Sequence, residues 1–215
     1  ILNIDKLKED MKNPKIAAAK TLSFAGFTAP RVQEGTYKVV LTKGKETYTH
    51  NLKVLNDPKS SISAADRLKQ KETTRELFNK NEELAYTVYE IDETVKLLDQ
   101  LIAKNKNFSK QGTKIKTDFE SLKAKMVVTT GDGYVATAEP QLREKLGELY
   151  ASVAGNFTAP SPSQLENKDA ILQRFDTSMT EFKNLKAKNE AAYLKQAKEQ
   201  SIPFTLKTYA EFVAE

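Results

Sequence analysis

Seven lysines crowd one short stretch of this chain: Lys104, Lys106, Lys110, Lys114, Lys116, Lys123 and Lys125, opposed there only by Asp118 and Glu120. Cations at that density attract anionic partners such as nucleic acid or an acidic membrane surface. No arginine cluster or aromatic stacking platform accompanies them. They therefore read first as a solvated helix face and second as a candidate interaction face, with no nucleic acid expected as a partner. Gly131-Asp132-Gly133 invites a phosphate-loop reading, but no Lys-Ser/Thr pair follows at the required spacing, so a glycine turn is expected there. His50 is the only histidine and cysteine is absent. That removes thiolate nucleophiles, disulfides, Cys-based zinc sites and a histidine triad, and no metal site or cofactor is expected.

The elements that would position these residues follow from composition and period. The 215 residues are 39% hydrophobic and 29% charged with a net charge of +5, which suits a surface-rich, elongated protein with a real core. No apolar run approaches the ~20 residues that span a bilayer, and Ile1-Leu2-Asn3-Ile4-Asp5 lacks the basic start and apolar middle of a signal peptide. The absent initiator Met leads us to expect a processed or truncated piece of a longer chain.

Residues 1–19 carry no structural signal, and Lys20 to Phe27 alternates in a way that suits a strand. Tyr37, Val39 and Leu41 then share one face at period two, Gly44 supplies a turn, and Tyr48, His50, Leu52 and Val54 share the apolar face of the return strand. The spacing predicts a half-buried hairpin over 36–55 with His50 partly buried on its apolar side. Two strands rarely stand alone in water, so the hairpin is expected to pack on helices or to finish a sandwich.

Beyond Asp57-Pro58 the period becomes helical, opened by Ser63-Ala64-Ala65-Asp66 as a capping box. Leu77, Leu84, Val88, Ile91, Val95, Leu98 and Ile102 form a coiled-coil-like seam on one unbroken helix from about 64 to 105. Ile115, Phe119, Leu122 and Met126 mark a second helix, and Leu142, Leu146, Leu149 and Val153 a third. A fourth is expected to open with a capping box at Ser163 to Glu166. It carries Leu172, Phe175, Met179, Phe182 and Leu185, and ends before Pro203. Phe204 to Phe212 is read as a short final helix or folded-back tail. The fold class is thus mainly α: an elongated antiparallel bundle of about four helices over 59–215, preceded by a β-rich remnant of a sandwich-like module over 1–58. The first and last helices are nearly twice as long as the middle pair, so their distal parts need each other, the hairpin or another chain. Tyr86, Tyr89, Phe119, Phe175, Phe182 and Tyr193 read as core aromatics. Asn107-Phe108-Ser109 and Asn156-Phe157-Thr158 match the glycosylation sequon in expected loops.

The stretch Pro30 through Gly35-Thr36-Tyr37, the exit Asp57-Pro58-Lys59 and the run Asn81 to Asp92 together resemble the C-terminal region of bacterial sortilin-like (VPS10-type) BNR propeller proteins, often labelled glycosyl hydrolases. The resemblance covers residues 20–105, and the remaining helices only in general character. It implies an exported protein (periplasm, cell surface or secreted) in which this region packs on its own upstream propeller and sandwich domains, on a protein partner or on a second copy. The Asp-box propeller itself is absent and the chain has no Trp, so no catalytic residue carries over. Glycoside hydrolysis needs two carboxylates flanking a sugar-sized cleft. Glu82, Glu83, Glu90, Asp92 and Glu93 instead read as the solvated face of a helix. A non-catalytic structural or interaction module is the leading expectation. The alternatives are part of a glycosidase whose active site lies in the propeller, and a stand-alone helical scaffold or adhesin.

Overall fold

The computed structural model describes residues 29–130 and 138–214, in two strands and five helices. We label them β1 (Gly35–Lys43), β2 (Glu46–Val54), α1 (Ala64–Lys104), α2 (Lys106–Met126), α3 (Leu142–Ala154), α4 (Pro162–Glu199) and α5 (Tyr209–Val213). The sequence readings of 1–19, Lys20 to Phe27 and Gly131-Asp132-Gly133 lie outside the described residues.

Helix α1 starts where its cap says it should. The Ser63 hydroxyl accepts from Asp66 N–H at 3.0 Å, satisfying one of the orphan donors of the first turn. No Pro or Gly interrupts its 41 residues, so it runs unbroken for roughly 60 Å. It ends in a corner one residue long. Asn105 donates its backbone N–H to Leu101 O, and its side-chain oxygen accepts from Asn107 N–H and Phe108 N–H to open α2. One residue thus closes one helix and caps the next. Asn107-Phe108-Ser109 accordingly lies in the first turn of α2 with Phe108 buried, and not in a loop. Gly112 lets α2 approach closely here, since an added Cβ would sit 2.9 Å from Ile102 Cγ1.

Four long helices fill three rows. Helix α2 runs back along the C-terminal half of α1, pairing Lys116 with Asp99 and Lys123 with Asp92. Helix α3 continues in the same direction along the N-terminal half, with Gln70 of α1 donating to Val153 O and Asn156 O at its end. Helix α4 then returns parallel to α1, as Lys168 to Glu76, Lys186 to Glu90 and Asn105 to Gln196 record in order. The surplus length of α1 and α4 is therefore covered by α2 and α3 laid end to end.

The seam residues Leu77, Leu84, Ile91 and Leu98 are fully buried, while Val88, Val95 and Ile102 are partly so. The buried stripe is wider than one seam because α1 touches two rows. Thr73, Thr87, Thr94, Leu97 and Leu101 add a second stripe. Thr73 and Thr87 satisfy their hydroxyls on the carbonyls of Lys69 and Glu83, as buried helical threonines do. Helix α4 opens with Ser161 and Gln164 in a reciprocal capping box and Pro162 in its first turn, two residues before the start expected from the sequence. The Ser163 box fails because proline at the first helical position already has its φ set for helix.

After α4 the chain folds back on α1. Tyr86 donates its hydroxyl to Lys207 O at 2.8 Å, and Lys207 N–H donates to the Tyr89 hydroxyl at 3.1 Å. Tyr209 and Phe212 close over the same two rings, with centroids 5.2–5.5 Å apart. Tyr86 and Tyr89 thus sit half-buried under the tail, while Phe119, Phe175, Phe182 and Tyr193 are core.

The hairpin pairs in the expected register, Tyr37 with Leu52, Val39 with His50 and Leu41 with Tyr48. Gly44, at φ 62, takes the first central position of a two-residue turn, where a left-handed φ is needed. The expectation of a half-buried hairpin is corrected. Val39, Leu41, Tyr48 and Leu52 are 46%, 63%, 55% and 51% exposed, and His50 is exposed rather than partly buried. The physical reason is reach: the two strands project from the bundle end, and only Tyr37 and Val54 at their base are partly covered.

Two outcomes follow. Leu98→Ala should lower stability to urea by about 2–5 kcal/mol through a core cavity. Tyr193 gives the second. Burial, and then Glu190, push its phenol up to about 12 from 10.0. The unfolded chain therefore releases this proton first. Stability should fall as pH rises from 10 toward 12, by about 1.4 kcal/mol per unit at most for this group. Tyr193→Phe should flatten that alkaline slope in a pH series of urea midpoints.

Candidate interaction site

The structure divides the seven lysines nominated by the sequence. Lys116 reaches Asp99 at 2.6 Å and Glu120 at 3.7 Å, Lys123 reaches Asp92 at 2.5 Å, and Lys125 reaches Glu181 at 2.8 Å. These three stitch α2 to α1 and α4. Lys104, Lys106, Lys110 and Lys114 stand exposed around the α1–α2 corner with no carboxylate within 4.0 Å among the described residues. The hydrogen bond that Lys116 donates to Asp99 holds its ammonium above the ordinary lysine pKa. Half-exposed pairs of this kind contribute about 0–1 kcal/mol each, so they set register more than stability.

The acids of α1 behave differently from a uniformly solvated face. Glu82, Glu83, Asp92 and Glu93 are partly exposed, but Glu90 is only 8% exposed and accepts from Lys186 Nζ at 2.6 Å. The reason is the second seam: Glu90 falls on the stripe turned toward α4. Its partner is structural, and the pair fixes the α1–α4 register.

The sequence reading missed a cleft at the opposite end of the rod. Its volume is about 520 Å³, within the range that encloses a small ligand or short peptide. The segment before β1, the exit from β2, the first turns of α1 and the α3–α4 loop form its walls. Along α1, Arg67, Lys71 and Arg75 follow at four-residue spacing, so all three project from one stripe. Arg67 is occupied. It donates to Ile62 O at 2.6 Å and pairs with Glu34 at 3.1 Å. Lys71 and Arg75 are exposed and have no carboxylate within 4.0 Å among the described residues. Arg31 lies over the exposed Phe157 ring at 4.4 Å, and Asp57 accepts from Lys59 N–H at 2.9 Å.

Two polar atoms in the cleft wall lack partners. The described residues hold four buried side-chain nitrogens or oxygens without a hydrogen bond, and two of them, Arg67 Nε and Thr74 Oγ1, belong to residues lining this cleft. Thr74 is 4% exposed and, unlike Thr73 and Thr87, makes no bond to the preceding turn. A buried unpaired group costs about 1–3 kcal/mol, and the other two such atoms both belong to Gln200 at the C-terminal end of α4. The signal available in the sequence was the spacing Arg67, Lys71, Arg75, which is less dense than the lysine run and easily passed over beside it.

Among the described residues, no group of three His, Asp or Glu side chains could hold a metal ion, and no helix is long and apolar enough to cross a membrane. Comparison with known proteins gives no match to a family model, a curated protein or a solved structure.

The division of the lysines predicts a labelling order. With limiting sulfo-NHS-acetate, peptide mass spectrometry should show Lys104, Lys106, Lys110 and Lys114 acetylated well before Lys116 and Lys123. Equal rates across all six would mean that the ion pairs are not held in solution.

Proposed function

We propose that the chain is a non-catalytic structural and interaction module: a helical rod that holds a β-hairpin out for completion by other β structure. The observation that carries this reading is the exposed apolar face of the hairpin, Val39, Leu41, Tyr48 and Leu52, on strands whose register is fully formed. A two-stranded sheet with one apolar face open to water is marginal by itself. Covering that face with a third strand or a second sheet removes apolar surface from water at about 25 cal/mol per Å². The resemblance to sortilin-like propeller proteins supplies the expected cover, a sandwich-like module between propeller and rod in an exported protein. In that setting any sugar hydrolysis belongs to the propeller, and the rod braces it.

An antibody against the helical bundle tests this in the source cell. The expected result is a band well above 24 kDa in the envelope or culture fluid. A 24 kDa band confined to the cell interior would overturn the reading. The hairpin supplies the second arm. Leu41→Asp should leave the melting temperature of the 215-residue chain within about 2 °C but lower that of the larger protein by several degrees.

A further inference from the structure

We propose that the cleft between the hairpin base and the first turns of α1 binds an acidic peptide segment, with its carboxylates held by Lys71 and Arg75 and an apolar side chain against Phe157. Charge is the first support. Four cations line the cleft (Arg31, Arg67, Lys71 and Arg75) against two acids, Glu34 and Asp57. Both acids are engaged: Glu34 neutralises Arg67, and Asp57 is held by the Lys59 amide. Lys71 and Arg75 are left uncompensated. They stand one helical turn apart, where like charges repel each other and destabilise the helix. A carboxylate seated between them reverses the sign of that interaction, and arginine offers it a two-pronged donor.

The second support is the opposite wall. Val32, Leu55 and Phe157 are 64%, 70% and 63% exposed and face the same space. An inorganic anion would satisfy the cations and leave that wall wet. A peptide carrying both carboxylates and an apolar side chain covers both. Nucleic acid fits less well, because Glu34 and Asp57 line the same recess and would repel successive phosphates, and a flat membrane surface cannot enter a recess. Thr74, another lining residue, carries a buried hydroxyl without a partner and so with bonding capacity to spare.

This site deepens the interaction-module reading and rests on it only in its broad form, since the cleft is built at the hairpin base and not on its exposed face. The two can fail separately. Leu41→Asp should leave peptide binding intact.

The test uses the full chain and a fluorescein-labelled hexapeptide pool, with Asp or Glu at three positions and mixed Leu, Phe and Val at the others. Binding is read by anisotropy at 0.1 M salt, where exposed charges more than ~10 Å apart are largely screened. Saturable binding is expected, weakened about tenfold or more by Lys71→Ala with Arg75→Ala and several-fold by Phe157→Ala. The matched Asn/Gln pool should bind at least about tenfold more weakly. Lys110→Ala with Lys114→Ala should leave binding unchanged. All of these positions are exposed, so circular dichroism should show every variant folded. Three outcomes would overturn the proposal. One is no saturable binding up to millimolar pool. Another is equal weakening by the Lys110 and Lys114 pair. The third is full competition by millimolar inorganic phosphate together with indifference to Phe157→Ala, which would mean a small-anion site.

Discussion

Everything in this molecule is arranged around the need to keep water off one very long helix. Helix α1 presents two adjacent buried stripes over 41 residues, one apolar and one of mixed threonine and leucine, and both are kept from water. A helix of α2's 21 residues or α3's 13 covers only part of that length, so the two are placed end to end. The third row must then be as long as the first, and α4 with 38 residues is. The order of the rows follows. The chain descends along α1 in two pieces and climbs back once, which makes the two full-length helices parallel.

Polar groups keep that arrangement in a single register. An all-apolar interface between long helices can slide by a turn with little loss. Glu90 and Lys186 cannot, because a slip would leave a nearly buried carboxylate without its cation, and such a loss is severe when one partner is removed. The buried threonines of α1 act the same way on a smaller scale. Thr87 bonds its own preceding turn and also lies 3.4 Å from the Met179 sulfur of α4. Thr94 does so by bonding the Tyr193 hydroxyl.

Much of this was legible in the sequence because it is periodic. The seam from Leu77 to Ile102, the faces of α2 and α3, and the two faces of the hairpin all follow from residue spacing alone. What was not legible was which neighbours the periodic faces would meet. The alternation from Tyr37 to Val54 marks an apolar side correctly but cannot say whether anything lies against it, and among the described residues only its base, at Tyr37 and Val54, is partly covered. Glu90 sits among solvated acids in the sequence and is buried only because a second row exists. The lysine run drew attention by density. Three of its members proved to be stitching, whereas the sparser Arg67, Lys71 and Arg75 ladder lines a cleft assembled from four separated segments. That juxtaposition is a property of the fold and has no local trace.

The parallel course of α1 and α4 gives the rod an electrical polarity of its own. Each helix carries roughly half a positive charge at its N-terminus and half a negative charge at its C-terminus. At the cleft end the N-termini of α1 and α4 meet only the C-terminus of α3. At the far end two C-termini, of α1 and α4, meet only the N-terminus of α2. The backbone therefore adds to the positive potential at Arg67, at the end of the first turn of α1, and its contribution fades before Lys71 and Arg75 one and two turns on. At the other end it partly offsets Lys104, Lys195 and Lys198, which fall in or near the last turns of the two long helices. Counting side chains makes the lysine corner the more basic end of the molecule, and counting peptide dipoles as well narrows that difference.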